Sequence, residues 1–166
     1  MPSAPFRMEP LGSAHDRSVF HCGDEALDRY LKTQATQDVR RRMANCFVAI
    51  EVATGRIAAF YTLSAASIPM VDLPQEETKR LPRYPTLPAV RIGRLAVDRA
   101  FHGRGLGAAL LADAAHRATQ SEIAAFMLLV DAKNDQAVAF YRHHGFRPLL
   151  SQPRMLYLPL ATVQKS

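Results

Sequence analysis

At 166 residues, the chain has the length of one domain and leaves little room for two. It is long enough to bury roughly two thirds of its unfolded surface, so it needs no staples. Apolar residues make up 48% and charged residues 22%, an ordinary globular balance. The formal net charge of +6 suggests an anionic partner and says nothing about the fold.

Several classes are set aside at this level. Cys22 and Cys46 lie far apart, with no CxxC and no clustered Cys/His spacing, which reads as free thiols in a reducing cytosol and not as a metal site. The histidines are scattered, and the adjacent pair His143-His144 would diverge on a helix, so no metal is expected. The opening Met1-Pro2-Ser3-Ala4-Pro5 lacks the apolar stretch of a signal peptide, and no run approaches the roughly 18 apolar residues of a membrane helix. A cytoplasmic protein with no membrane association is expected.

In chain order, Phe6 to Leu11 reads as a first strand. Asp24 is a plausible helix cap before Glu25. Leu27, Leu31, Ala35 and Val39 recur at spacing four and predict one helix with an apolar face, ending in Arg40-Arg41-Arg42, where cations suit the macrodipole. Asn45 to Val52 and Arg56 to Ile68 are strands joined by a turn with Gly55 at the tight position. Between Pro69 and Pro88 lie five prolines (69, 74, 82, 85 and 88). They forbid a regular helix or inner strand throughout. At most a short helix fits Gln75 to Leu81, in a surface excursion where substrate could approach. Ala89 to Asp98 is a strand, Gly105 to Gln120 a helix, and the apolar Ala124 to Asp131 a central strand. Asn134 caps a helix from Asp135 to His144, Gly145 terminates it, and Phe146 to Leu150 and Arg154 to Leu160 close the chain as strands. This is a mixed α/β domain, taken as a single domain over residues 1–166.

The most informative junction follows Asp98, where His102-Gly103-Arg104-Gly105-Leu106-Gly107-Ala108 opens a helix. Glycines at alternate positions permit positive φ and leave backbone amides unobstructed. Amides at a helix N-terminus cradle a diphosphate, and Arg104 could add a contact. A glycine turn that only lets strand and helix pack closely is the plainer alternative. The chain has no GxxxxGK[ST], and the glycine spacing is not that of a dinucleotide fold.

The stretch RLAVDRAFHGRGLGAALLADA resembles the acetyl-CoA signature of the GNAT N-acetyltransferases, Q/R-x-x-G-x-G/A, with His102 departing from the first position. Asn134 through Phe146 (NDQAVAFYRHHGF) resembles the later family motif N-x-x-A-x-x-F-Y-x-x-x-G-F. The resemblance implies the GNAT fold: a mixed, mostly antiparallel sheet with a V-shaped splay between central strands, flanked by helices. It implies acetyl-CoA as co-substrate, held by Leu95, Ala96 and Val97 and by Gly103, Arg104, Gly105, Gly107 and Ala108, with Asn134 and Phe140 alongside. Tyr141 corresponds to the family tyrosine that protonates the departing thiolate; a core tyrosine beside Phe140 is the alternative. Some family members carry a carboxylate in the strand before the phosphate loop. Ala89 to Val97 has none and offers Arg91 and Arg94 instead. An α-amine with pKa about 7.7–8 is already partly neutral at pH 7, unlike a lysine at about 10.4. A site with no evident base and two arginines therefore suits an α-amine on an anionic carrier.

The segments FHCGDEALDRYLKTQATQDVRRRMANCFVAIE and IGRLAVDRAFHGRGLGAALLADA resemble, more closely, the GNAT toxins of type II toxin–antitoxin modules. Their C-G-x-x-x-L-D-x-Y/F-L opening matches Cys22-Gly23 and Leu27-Asp28-Arg29-Tyr30-Leu31. That resemblance implies acetylation of the α-amine of aminoacyl-tRNA, inhibition of translation, neutralisation by a ribbon-helix-helix antitoxin, and a homodimer. The basic residues Arg40, Arg41, Arg42, Lys79, Arg83, Arg91 and Arg94 are then the expected RNA contacts, salt-dependent as such contacts are. The rival expectations are a GNAT enzyme acting on a protein N-terminus or small amine, and a non-catalytic regulator that binds acyl-CoA or DNA.

Overall fold

A computed structural model describes residues 5–163; Met1 to Ala4 of the leader expectation lie outside the described residues. The chain forms two compact units, one of residues up to Ser64 with Gly93–Asp113, the other of Ala65–Ile92 with residues from Ala114 onward.

The first unit begins with strand β1 (Phe6–Pro10), which pairs antiparallel with β2 (Asn45–Glu51), from Phe6↔Glu51 to Pro10↔Phe47. β2 turns at Gly55, whose φ of 76° suits glycine, and pairs antiparallel with β3 (Ile57–Pro69) from Ile50↔Ile57 to Asn45↔Leu63. The single predicted helix is two: α1 (Glu25–Thr33) and α2 (Ala35–Arg40), broken at Gln34 with φ −124° and ψ −28°. The spacing-four pattern survives because Leu31 and Ala35, on either side of the break, are both buried. Asp24 caps α1, accepting from the N–H groups of Ala26 and Leu27. The core joins Phe20, Tyr30, Leu31, Val48, Ile57 and Phe60, with the Phe20 ring edge-on to Phe60 at 5.5 Å.

The toxin-like opening motif is a packing device in this unit. Buried Asp28 accepts from the Cys22 N–H at 2.9 Å and meets the His21 ring at 3.2 Å. Gly23, at φ 100°, leaves room for the Arg99 guanidinium, whose Nε would lie 2.9 Å from a Cβ there.

Strand β4 (Thr86–Val97) and helix α4 (Leu106–Gln120), like β3, contribute to both units. In the second unit β4 pairs parallel with β5 (Met127–Asp131) from Ala89↔Met127 to Ile92↔Val130. The remaining elements are α3 (Gln75–Thr78), α5 (Asp135–His143), β6 (Arg147–Pro148) and β7 (Met155–Pro159). β7 pairs antiparallel with β5 and with β6. Strand order is β1-β2-β3-β4-β5-β7-β6, so β5 is internal, as its apolar sequence predicts. Its buried faces join Met127 and Leu129 to Ile68, Leu87, Leu149 and Tyr157.

Three strand boundaries move by more than one residue. β4 starts at Thr86, before Pro88, because that proline supplies only its carbonyl, which accepts from Phe126 N–H at 2.9 Å. β5 starts at Met127, since the preceding small residues Ala124 and Ala125 are not in the ladder. The strand expected over Phe146 to Leu150 shrinks to Arg147–Pro148, because Leu149 and Leu150 give their N–H groups to Met155 and Asp72.

Candidate active site

The glycine loop expected to hold the diphosphate lies in the first unit. At the end of β4, Asp98 is buried and accepts from the N–H groups of Ala100 (2.8 Å) and His21 (2.9 Å), with the Arg56 guanidinium at 3.7 Å. It is a strut under the loop. Asp98→Ala orphans two backbone donors, each costing about 1–3 kcal/mol. We expect it to lower Tm by roughly 5–15 °C, as read by thermal unfolding.

After a short turn ending in buried Phe101, the His102 ring donates through Nε2 to the Val97 carbonyl at 2.8 Å. His102 thus takes a backbone contact at the position where the family signature has Gln or Arg. Sequence reasoning missed it, because only the fold brings Val97 to that ring.

Gly103 and Gly105 follow at φ 75° and 77°. At each, a Cβ would meet nothing within 4 Å. Both glycines are therefore required by backbone conformation and border open space. Gly107 and Ala108 lie in the first turn of α4, whose leading amides have no intrahelical acceptor. Left-handed glycines leading into free helix amides fit a diphosphate, and so fit the cofactor that the motif implies.

Arg104, expected to add a phosphate contact, sits beside an aromatic ring and a carboxylate. Its guanidinium lies 5.0 Å from the Phe6 ring centroid and 3.9 Å from Glu51. Upstream, Ala96 is buried and Leu95 and Val97 are half-buried. The β4–β5 ladder stops at Ile92.

Tyr141 lies in the second unit, on α5. Asn134 caps that helix, its side chain accepting from Ala137 N–H at 2.8 Å, and Gly145 closes it at φ 94°. The Tyr141 ring packs against Phe140 (5.3 Å) and Phe146 (5.5 Å), so it is a core tyrosine as well as a motif tyrosine. Burial pushes its phenol up to about 12. Among the described residues no hydrogen bond engages its hydroxyl. The group keeps its proton at neutral pH and has no internal partner competing for it.

The basic residues divide by unit. In the first, Arg40, Arg41 and Arg42 are exposed at the end of α2. Arg94 is drawn inward, its guanidinium 3.7 Å from the centroid of Tyr30, whose hydroxyl donates to Asp38 at 2.8 Å. In the second, Lys79 and Arg83 line a cavity, and Arg91 pairs with Asp131 at 3.5 Å. Burial, with the Asp28 carboxylate nearby, pushes the Cys22 thiol up to about 11, and burial pushes Cys46 up to about 12. Thiols held protonated are poor nucleophiles. No group of three or more potential metal ligands occurs among the described residues, and no helix among them is long and apolar enough to cross a membrane.

A left-handed glycine turn leading into a helix and a buried tyrosine on a later helix are the features that the acyl-CoA-dependent transferase motifs call for. The sequence profile of the acetyltransferase (GNAT) family matches residues 20–146, and the chain belongs to that family. A tRNA-acetylating toxin of Mycobacterium tuberculosis (strain ATCC 25618 / H37Rv) is 36% identical over 158 residues, covering 94% of this chain and 91% of the relative. A probable toxin TacT of Sinorhizobium fredii (strain NBRC 101917 / NGR234) is 32% identical over 95% of this chain and 92% of its own length. Among solved structures, AtaT complexed with acetyl-methionyl-tRNAfMet superimposes with a TM-score of 0.89 at 28% identity, over 96% of this chain and 98% of that one. AtaTR bound with AcCoA gives 0.82 at 28% identity, over 97% of each. An AtaT mutant toxin bound to the C-terminus of the antitoxin AtaR gives 0.82 at 26%, over 98% of each.

Proposed function

We propose that this chain is the toxin of a toxin–antitoxin module and acetylates the α-amine of aminoacyl-tRNA, thereby blocking translation. The observation that carries the reading is the likeness, over nearly the whole of both chains, to AtaT complexed with acetyl-methionyl-tRNAfMet. Acetyl-CoA supplies an acetyl group activated as a thioester. The amides from Gly103 to Ala108 bind the diphosphate, and the backbone of Leu95 to Val97 orients the pantetheine arm. The amine nitrogen bonds to the acetyl carbon, the carbon–sulfur bond breaks, and Tyr141 gives its proton to the sulfur. The proton lost by the amine passes to water. Asn134 and Phe140 hold the helix that carries Tyr141. On the same reading residues 1–166 are one acetyltransferase domain acting in the cytoplasm as a homodimer, and a ribbon-helix-helix antitoxin covers it.

The acceptor chemistry has a direct test. After incubation with acetyl-CoA and charged tRNA, mild alkaline hydrolysis of the aminoacyl ester should release N-acetylated amino acid. Acetyl retained on the RNA would overturn the proposal. Transfer to free amines or to a protein N-terminus with none to tRNA would support the rival acceptor.

Arg42 offers a separable test of the RNA contacts. It sits at φ 63°, the left-handed conformation that costs a non-glycine residue about 1–2 kcal/mol. Met43 N–H bonds Asp38 O at 2.8 Å, closing the helix end that glycine usually closes. Arg42→Gly should leave stability unchanged or raise it by up to about 1 kcal/mol. It should also weaken tRNA binding and reduce the salt slope by about one. An unchanged slope in a binding titration would remove Arg42 from the RNA contacts.

A further inference from the structure

The Pro-rich excursion and Leu150 line an open cavity of about 490 Å3 in the second unit, within the size range of small-ligand sites. Met70, Leu73 and Leu81 supply apolar walls, and Lys79, Arg83 and Tyr84 also line it. Its walls are held in place. Met70 N–H donates to Pro85 O at 3.2 Å, Tyr84 N–H meets Met70 Sδ at 3.4 Å, and Leu150 N–H donates to Asp72 O at 2.9 Å. Pro82 and Pro85 flank Arg83-Tyr84, and their fixed φ angles limit what the segment loses on binding.

Three large apolar residues that line this cavity are exposed: Tyr84 at 53%, Leu150 at 64% and Val71 at 80%. Neither Lys79 nor Arg83 has an acidic partner among the described residues. An exposed aromatic and two cations without acidic partners, lining one cavity of mixed polar and apolar character, combine the two parts of a single-stranded nucleic-acid site: a face for a base to stack on and charges for its phosphates.

We propose that this cavity receives the unpaired 3′ end of the acceptor RNA, with one base stacked on Tyr84 and its flanking phosphates on Lys79 and Arg83. The inference rests on the aminoacyl-tRNA reading and deepens it: an enzyme acting on an α-amine esterified to that end must hold the end still. Charge complementarity selects the occupant. The cations fit a polyanion, and the Tyr84 face accepts any base, so the contact would serve many tRNAs without reading their sequence.

The test is a two-by-two binding comparison at one fixed salt concentration. Deacylated tRNA, intact or trimmed of its single-stranded 3′ nucleotides, is titrated with the wild-type chain and with Tyr84→Ala, and Tyr84→Phe serves as rescue. Tyr84 is exposed, and thermal unfolding of each variant verifies the fold. Trimming should weaken wild-type binding about 10-fold, should have a clearly smaller effect on Tyr84→Ala, which keeps only the phosphate contacts of Lys79 and Arg83, and should regain its full effect in Tyr84→Phe. A Tyr84→Ala protein that distinguishes the two RNAs as strongly as wild type does, or that loses affinity for both equally, overturns the proposal. So does a variant that binds both RNAs as wild type does but no longer binds a synthetic acidic, leucine-rich peptide, because the cavity would then be a peptide site. Wild-type acetylation of charged tRNA, assayed in parallel, separates the two claims. Acetylation without coupling at Tyr84 removes the cavity assignment alone. Absence of both acetylation and tRNA binding removes the aminoacyl-tRNA reading and the cavity assignment with it.

Discussion

Tyr141→Phe should lower kcat by about 10²–10⁴ and leave acetyl-CoA affinity unchanged. The substitution deletes one oxygen. The ring remains between Phe140 and Phe146, so the packing that positions α5 is preserved and the loss falls on the proton. Because burial pushes the phenol up to about 12, the wild-type enzyme should show no alkaline loss of kcat from this group until well above pH 10. The sign for stability follows from the same shift. The unfolded chain releases this proton near pH 10 and the folded chain holds it longer. The contribution is therefore complete below pH 10 and is lost as pH rises towards 12. A kcat–pH profile and a cofactor titration of the variant check both parts. A variant with normal kcat would reduce Tyr141 to a core residue.

Gly105→Val should act on the opposite parameter. At φ 77° any side chain costs about 1–2 kcal/mol of backbone strain, a Tm change of roughly 2–8 °C that the fold should survive. A Cβ there would meet no protein atom within 4 Å, so steric conflict inside the protein is not the main effect. The side chain would project into the open space beside the amides of the α4 N-terminus, where the diphosphate is proposed to bind. Each charge there gains about 0.3–1 kcal/mol from the helix end, and up to about 2 when partly buried. Loss of that cradle should raise the Kd for acetyl-CoA at least about 10-fold. Calorimetric titration beside a melting curve separates the two effects. Normal affinity in a destabilised protein would make the loop a packing turn.

Where local chemistry decides local structure, the sequence was readable. Gly103 and Gly105 had to be glycine for backbone reasons, and their alternation next to a helix is visible in one dimension. Asn134 and Gly145 bracket α5 by the same logic of caps, and Asp24 opens α1. The periodicity of the first helix was real but said nothing of the break at Gln34, because Leu31 and Ala35 stay buried across it. Pro88 was read as a strand breaker; within β4 its lone carbonyl suffices. The contacts that escaped notice depend on tertiary closure. His102 finds the Val97 carbonyl only once β4 and the loop are folded. Arg94 and Arg91, named from sequence as RNA contacts, also meet the Tyr30 ring and Asp131, contacts that no spacing shows. Tyr84 is one aromatic among prolines, with no periodic signature. Its surroundings exist only because Met70 meets Pro85 and Asp72 meets Leu150.

The measurement that bears most directly on the central claim is transfer of label from acetyl-CoA to bulk tRNA, charged and deacylated, with Tyr141→Phe alongside. Label on charged tRNA alone, sharply reduced in the variant, is the predicted result. Absence of label on either tRNA, by a protein that still binds acetyl-CoA, would contradict it and turn the search to protein and small-amine acceptors.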